Sequence, residues 1–401
     1  MTCEADQLPR LLYLGDVPVR STLAGSALLY RLLWAYPRDR LRIIETNAMP
    51  ADGPVLQGVA YQSLRVCNPR LLRTRFGHLY RRYLYHAAPF RGWVLARKLK
   101  AGDWCPQAVV TVVHDHTWRS AVVVAEKLGV PLHLIIHDDV YTAVDVGPKN
   151  RSKFQEMFSK IYAGAASRFC ISPYMAELYK RDFGREAQVM YPTRAVDGPR
   201  FDAPPLRLGE ASASLTFAYA GSLNTTAYVQ MLKMFADVLA KAGHRLLVYS
   251  TLSPASAAAA GLQLPNVTVN AVVPFKQLID ILRQRVDALF LPMSFTESDR
   301  QNMMISFPSK LTDYTAAGLP LLVQGPGYCS AVRWALENPG VAEVVSDLSP
   351  AALEAAVARL KDSSHRLSLA HRAIDVGGRY FSQDFAFETF ADTLQSAQRG
   401  S

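Results

Sequence analysis

The chain has 401 residues, half of them hydrophobic and 19% charged, which excludes a disordered polypeptide and leaves room for two domains, each with its own core. Lys and Arg outnumber Asp and Glu by 44 to 34, a net charge of +10 that favours polyanionic partners: nucleic acid, anionic lipid or phosphorylated ligands. Five scattered cysteines without a CxxC pair fit neither a disulfide framework nor a thiolate zinc site. No apolar run approaches the roughly 20 residues of a membrane-spanning helix, and Glu4 and Asp6 stand where a secretory leader would be basic. A cytoplasmic protein is expected.

Residues 11–15 read as a buried strand ending in glycine, 16–22 as a loop and 23–33 as a helix, the opening of a parallel α/β sheet. Residues 41–45 give the next strand. The stretch 68–100 then carries Arg70, Arg73, Arg75, Arg81, Arg82, Arg91, Arg97, Lys98 and Lys100 with no Asp or Glu, interleaved with Phe76, Tyr80, Tyr83, Tyr85, Phe90 and Trp93. Two readings stand: a solvated helical face whose aromatics go to the core, or a helix lying on an anionic membrane surface. No helix-turn-helix, zinc-finger or RNP-like pattern accompanies the charge, which argues against nucleic acid.

Residues 109–113 form a strand, apolar apart from Thr111, followed by His114-Asp115-His116-Thr117-Trp118. After a helix over 120–128, the strand 132–136 ends in His137-Asp138-Asp139. Two successive strands therefore deliver His and Asp at their C-terminal ends, the edge where parallel sheets bind ligands. A strand at 168–172, a helix at 173–182 and Val189-Met190-Tyr191-Pro192 close this half. Residues 196–214, rich in Pro, Gly, Ala and Ser, are the expected linker.

The alternation then restarts: a strand at 215–220, the polar turn Gly221-Ser222-Leu223-Asn224-Thr225-Thr226, a helix at 228–242, strands at 245–250 and 267–273, a helix at 275–283 and a buried strand at 288–291. A polar loop spans 293–305. Ser306-Phe307-Pro308-Ser309 next opens a short helix with Ser309 as N-cap, Lys310 and Asp313 in its first turns, Gly318 at a left-handed C-cap and Pro320 leading into the strand 321–323. A helix N-terminus with unpaired N–H groups and a lysine suits an anion such as a diphosphate, and an acid one turn on suits sugar hydroxyls. The alternative is the solvated face of an amphipathic helix. Helices at 330–337, 351–361 and 381–395 and a strand at 341–346 complete the chain. An α/β protein of two Rossmann-like doubly wound domains facing a central cleft is predicted.

The stretch "SFPSKLTDYTAAGLPLLVQGPG" at 306–327, "YAGSLN" at 219–224 and "ISPYMAELYKRDFG" followed by "VMYP" resemble the glycosyltransferases of the GT-B fold, in particular the broad family 4-like group acting on bacterial saccharides. The resemblance implies an acceptor-binding domain at 1–195, the linker 196–214, a nucleotide-sugar-binding domain at 215–375 and a C-terminal segment 376–401 that crosses back to the N-terminal domain. It also implies transfer of a sugar from a nucleotide diphosphate-sugar to a saccharide or lipid-linked acceptor, with retention at the anomeric carbon, no obligatory cofactor and no metal. On that reading Gly221, Ser222, Asn224, Thr225, Ser306, Phe307, Ser309, Lys310 and Asp313 hold the donor, with Asp313 at the nucleotide ribose. His116, or His114 as second choice, sits by sugar and acceptor, and Ser21, Thr22, His137 and Asp138 line the acceptor side. Synthesis of polysaccharide at the inner face of a membrane would follow.

The sequence departs from the family pattern in two places. The first of two glutamates with seven residues between them, the second of which is Asp313 here, is replaced by Ile305, so Glu297 serves only if 298–305 is an insertion, and the basic residue after the glycine turn is absent because Asn224 and Thr225 are neutral. Other readings stay open: a metal-dependent hydrolase using His114, His116 and His137, a GT-B nucleotide-sugar epimerase, or a protein of that fold that binds without transferring.

Overall fold

Runs such as Leu-Leu-Tyr-Leu-Gly at 11–15 and Ala-Leu-Phe-Leu-Pro at 288–292 are buried at every position. A strand without a solvent face needs helices on both sides of its sheet, so such runs specify central strands of covered parallel sheets. The computed structural model, which describes residues 8–21, 24–49, 53–196, 198–223 and 225–399, holds two such sheets. Two candidates, Thr22 and Asn224, lie outside the described residues.

The first sheet comprises β1 (Leu11–Gly15), β2 (Leu41–Thr46), β3 (Ala60–Leu64), β4 (Ala108–Val112), β5 (Leu132–Ile136), β6 (Ser167–Cys170) and β7 (Gln188–Val189), in the order β3-β2-β1-β4-β5-β6-β7. Every pairing is parallel. The second comprises β8 (Thr216–Ala220), β9 (Arg245–Tyr249), β10 (Val267–Asn270), β11 (Ala288–Pro292), β12 (Leu321–Gln324) and β13 (Glu343–Val345), in the order β10-β9-β8-β11-β12-β13, again all parallel. Both sheets reverse their direction of growth, between β1 and β4 and between β8 and β11. Loops leaving such a switch point diverge and open a crevice at the carboxyl edge.

Two compact units follow this division: one built from the described residues up to Thr193 plus those from Gln383 onward, the other from Arg194–Ser382. Residues 196–214 are part of the second unit. Leu208, in the 3-10 turn Leu206–Gly209, is fully buried, and the buried Arg366 donates to the carbonyls of Leu208 and Glu210 at 3.2 and 2.8 Å. Composition alone reads this stretch as a linker because its structure comes from contacts distant in sequence. The last helix, Gln383–Arg399, packs within the first unit: Phe387 meets Tyr36 edge-on at 6.4 Å, Phe390 meets Phe169 at 5.5 Å, and Thr393 donates to Gln188 at 2.6 Å.

Several elements exceed the sequence expectations. β3 is an edge strand with mostly exposed side chains, so it lacks the apolar alternation that marks a strand. A 25-residue helix runs over Gly77–Ala101 with Pro89 inside it. Helices at Arg151–Gly164 and Ser363–Tyr380 fill stretches left unassigned, and Arg300–Ile305 adds a short helix inside the expected polar loop. Among the described residues no helix is long and apolar enough to cross a membrane.

Candidate active site

In the first unit the carboxyl edge at the switch point is organised by Asp16, the residue directly after β1. Its side chain is fully buried. Oδ2 accepts from the backbone N–H of His116 at 3.0 Å and of Thr117 at 2.6 Å, while Oδ1 accepts from the hydroxyls of Thr117, at 2.6 Å, and Thr46. Four donors saturate the four acceptor positions of a carboxylate, which is how an ionised acid is tolerated in the interior. The loop that follows is fixed by the buried ion pair of Arg20 with Glu45, whose Nη1–Oε2 distance is 2.9 Å, and by the arginine's stacking over Tyr61.

This network sets the tautomer of His116. The Thr117 hydroxyl gives its proton to Asp16, so its oxygen can only accept from His116 Nδ1, 3.0 Å away. Nδ1 therefore carries a proton. Nε2 is buried and has no hydrogen-bond partner among the described residues. Between the two histidines Asp115 takes the left-handed conformation, φ +48°, and burial together with the Asp16 charge raises its pKa.

His114 is half-buried and packs edge-on against His137 at 5.8 Å. His137 lies 3.3 Å from the half-exposed Asp138 through Nε2, and burial holds its pKa below the usual histidine range. Gly25 is required here, since a Cβ would stand 2.8 Å from the His137 ring. Ser21 is exposed, with its N–H directed to the Pro54 carbonyl at 3.4 Å. The sets His114/His137/Asp138 and Asp16/Asp115/His116 have the ligand types of a metal site, but the saturated Asp16 carboxylate has no lone pair left for an ion.

In the second unit the switch-point edge is organised by Lys310 and Gly221. Lys310 opens the helix Lys310–Ala317, and its side chain lies along the glycine directly after β8, with Nζ 5.5 Å above the Tyr219 ring. A Cβ at residue 221 would come within 2.0 Å of Lys310 Cε. Lys310 Nζ makes no hydrogen bond or ion pair among the described residues, and burial lowers its pKa against the opposing pull of Asp313. The β8 end is tied to the same helix by Tyr314, whose hydroxyl accepts from Ala220 N–H at 2.8 Å. Arg194, which the sequence reading overlooked, joins this neighbourhood. Its buried Nε and Nη2 have no hydrogen-bond partner among the described residues, and the charge of Asp313 partly offsets the burial that lowers its pKa.

The remaining candidates separate into two groups. Gly318 takes the expected left-handed C-cap, φ +62°. Ser309 occupies the N-cap position without capping: its φ of −57° and ψ of −22° are helical, whereas a capping side chain reaches back from an extended backbone. Phe307 is buried against Trp334 and Phe381, and the Ser306 N–H already donates to the Asn302 carbonyl at 2.8 Å. That leaves the N–H groups of Ser309 and Lys310 for an anion. Thr225 caps the helix Thr226–Lys241 by accepting from Tyr228 N–H, and exposed Ser222 gives its carbonyl to the Tyr219 hydroxyl at 2.7 Å. Glu297 stands 80% exposed with Arg300 at 3.5 Å, and neither hydrogen bond nor ion pair joins it to Lys310 among the described residues.

No protein-family profile matches the sequence, and no curated protein matches it. Solved structures do. HepE from Anabaena in complex with UDP and glucose is similar over 96% of this chain and 99% of its own, with a TM-score of 0.64 at 12% identity. A glycosyltransferase from Rickettsia africae covers 98% and 99%, with a TM-score of 0.65 at 11% identity. The sucrose-phosphate synthase of Thermosynechococcus elongatus covers 98% and 100%, with a TM-score of 0.65 at 12% identity. The chain has the GT-B fold. Asp16, Thr117 and Arg194 lie at these two sheet edges of this GT-B chain and were passed over in the sequence; the one available signal was an acid placed directly after the glycine that ends β1.

Proposed function

We propose that the protein is a glycosyltransferase that takes a nucleoside diphosphate-sugar in its second unit and an acceptor hydroxyl in its first. The observation that carries this reading is the Lys310 ammonium, partly desolvated, without a counter-ion bonded to it among the described residues, and set over the glycine that follows the central strand β8. A partly desolvated cation held without a bonded counter-ion costs folding free energy, so a site that keeps one is suited to an anion that arrives later. As the glycosidic bond to the diphosphate breaks, negative charge grows on the leaving oxygen, and Lys310 with the N–H groups of Ser309 and Lys310 stabilises it there. Arg194 supplies a second cation and Asp313 the acceptor for ribose hydroxyls. Charge stabilisation by a lysine requires no metal.

At the acceptor, the accessible His114 is the histidine that a hydroxyl reaches, and His116, locked by Asp16 and Thr117, positions the loop that carries it. The leaving phosphate can itself take the acceptor proton, which is consistent with retention. HepE, solved with UDP and glucose, supports a uridine nucleotide and a hexose as the first donor to try.

The test is a thermal-shift screen of nucleoside diphosphates and their sugars, because a ligand that binds only the native chain raises Tm with its concentration. At least one should stabilise the protein, Lys310→Ala should abolish that shift, and incubation with acceptor should release nucleoside diphosphate. A ligand consumed without such release points to an epimerase, and no shift with any of them overturns the reading.

A further inference from the structure

Between Asp52 and Asp103 the chain has no carboxylate but ten of its 44 basic residues, so the rest of the molecule is balanced, 34 against 34. The whole net charge is thus carried by about fifty residues that include the helix Gly77–Ala101. Six of the twelve large hydrophobic side chains most exposed among the described residues fall in the same place: Leu71, Phe76, Leu79, Tyr83, Phe90 and Trp93, with Phe90 67% and Tyr83 64% exposed.

These side chains have an order. At 100° per residue, Leu79, Tyr83, His86, Phe90, Trp93 and Arg97 fall within about 40° of one line along the helix, with Arg82 and Lys100 beside it. The opposite line, Gly77, Leu84, Ala88, Gly92, Ala96 and Leu99, is the buried one. It packs so closely on the helix Trp118–Leu128 that a Cβ on Gly92 would meet the Ser120 carbonyl at 2.5 Å. The helix is therefore fixed to the core by its small residues, and its aromatic line is turned outward.

We propose that this outward face is a docking surface for an anionic lipid bilayer, with Tyr83, Phe90 and Trp93 entering the headgroup region and the flanking Arg and Lys paired with lipid phosphates. Charge decides among possible occupants. A second copy of the chain would bring the same ten positive charges to the contact. Nucleic acid would use ring faces for base stacking, but Phe90 and Trp93 are stacked on each other at 6.0 Å and Arg97 lies over Trp93 at 4.8 Å. Rings bunched with guanidinium groups on one helical line match the aromatic and basic composition of a membrane-surface helix. The inference does not depend on the donor chemistry and is tested without nucleotide.

The experiment is co-sedimentation of the full chain with vesicles of phosphatidylglycerol and phosphatidylcholine, against vesicles of phosphatidylcholine alone, at low and high salt. Binding is expected only with the anionic lipid and should weaken at high salt as screening shortens the reach of the charges. Arg82→Glu should lower affinity by at least about fivefold, and Phe90→Ser with Trp93→Ser should abolish sedimentation while circular dichroism melts stay unchanged, since all three side chains sit at the surface. Equal binding to both vesicle types, undiminished binding by the double variant, or no binding to anionic vesicles overturns the proposal. So does a variant-sensitive dimer, or variant-sensitive binding of a single-stranded oligonucleotide, in a chain that ignores vesicles.

Discussion

Lys310 and Gly221 occupy one space between them: the lysine's aliphatic stem fills the volume that any side chain at 221 would need, with Cε 2.0 Å from the position of a Cβ. Residue 221 also sits at φ +155°, in the range that side-chain-bearing residues seldom adopt. Gly221→Ala should therefore lower stability by about 1–3 kcal/mol and move the ammonium as well. The expected signature in a denaturation series with parallel kinetics is a fall in kcat/KM far larger than the loss of stability explains.

Lys310→Met separates charge from packing. The folded chain holds this lysine's pKa below the ordinary 10.5, so as pH rises through the lowered value toward 10.5 the unfolded chain binds more protons and the native state gains stability. The variant lacks that gain. Wild type should thus become more stable relative to Lys310→Met as pH rises, in urea melts at pH 7 and pH 10. Turnover should move the other way. Removal of the cation should cost about 10²–10³ in kcat, and the wild-type alkaline limb of kcat/KM should fall below the pH expected of an ordinary lysine.

Asp16→Asn keeps the size of the side chain but sets an amide donor among four donors that now face a carboxylate. A loss of about 2–4 kcal/mol is expected, with exchange protection of the His116 and Thr117 amides lost first. If those amides stay protected, the loop is held by something other than Asp16.

His133, in β5, is buried with Nδ1 2.8 Å from the Ser167 hydroxyl, and burial depresses its pKa to about 4. Below pH 6.5 the unfolded chain takes up a proton that the native chain refuses, so stability falls as pH drops from 6.5 toward 4. This one group accounts for about 2.5 kcal/mol between pH 7 and pH 4.5. A His133→Asn chain, whatever its stability at pH 7, should show a correspondingly flatter acid slope in urea melts.

The strands with buried, apolar runs were legible from periodicity, and so was the order of the two α/β halves, because a strand covered on both faces needs no partner to be recognised. The helix at Ser363–Tyr380 was not. It carries Arg366 at a buried position, where Nη1 and Nη2 donate to backbone carbonyls as far away as Leu208, and a charged residue at a core position erases the amphipathic signal. At the candidate site, Lys310 and the glycine turn stood out because a lysine at a helix start and a glycine after a strand are visible in the local sequence. Asp16, Thr117 and Arg194 did not, since they meet groups that lie a hundred residues away or more, brought together only by the fold. The burial of His116 Nε2 was hidden for the same reason, since the loop that carries this histidine is held by Asp16 from the end of another strand.

The return of Gln383–Arg399 into the first unit makes that unit discontinuous in the chain. During synthesis, residues up to Thr193 leave the ribosome nearly two hundred residues before the segment that covers Tyr36 and Phe169 with Phe387 and Phe390. The first unit therefore waits with an uncovered apolar strip while the second unit is made and folds. A chain that stopped at 382 would leave Tyr36 and Phe169 without these aromatic partners.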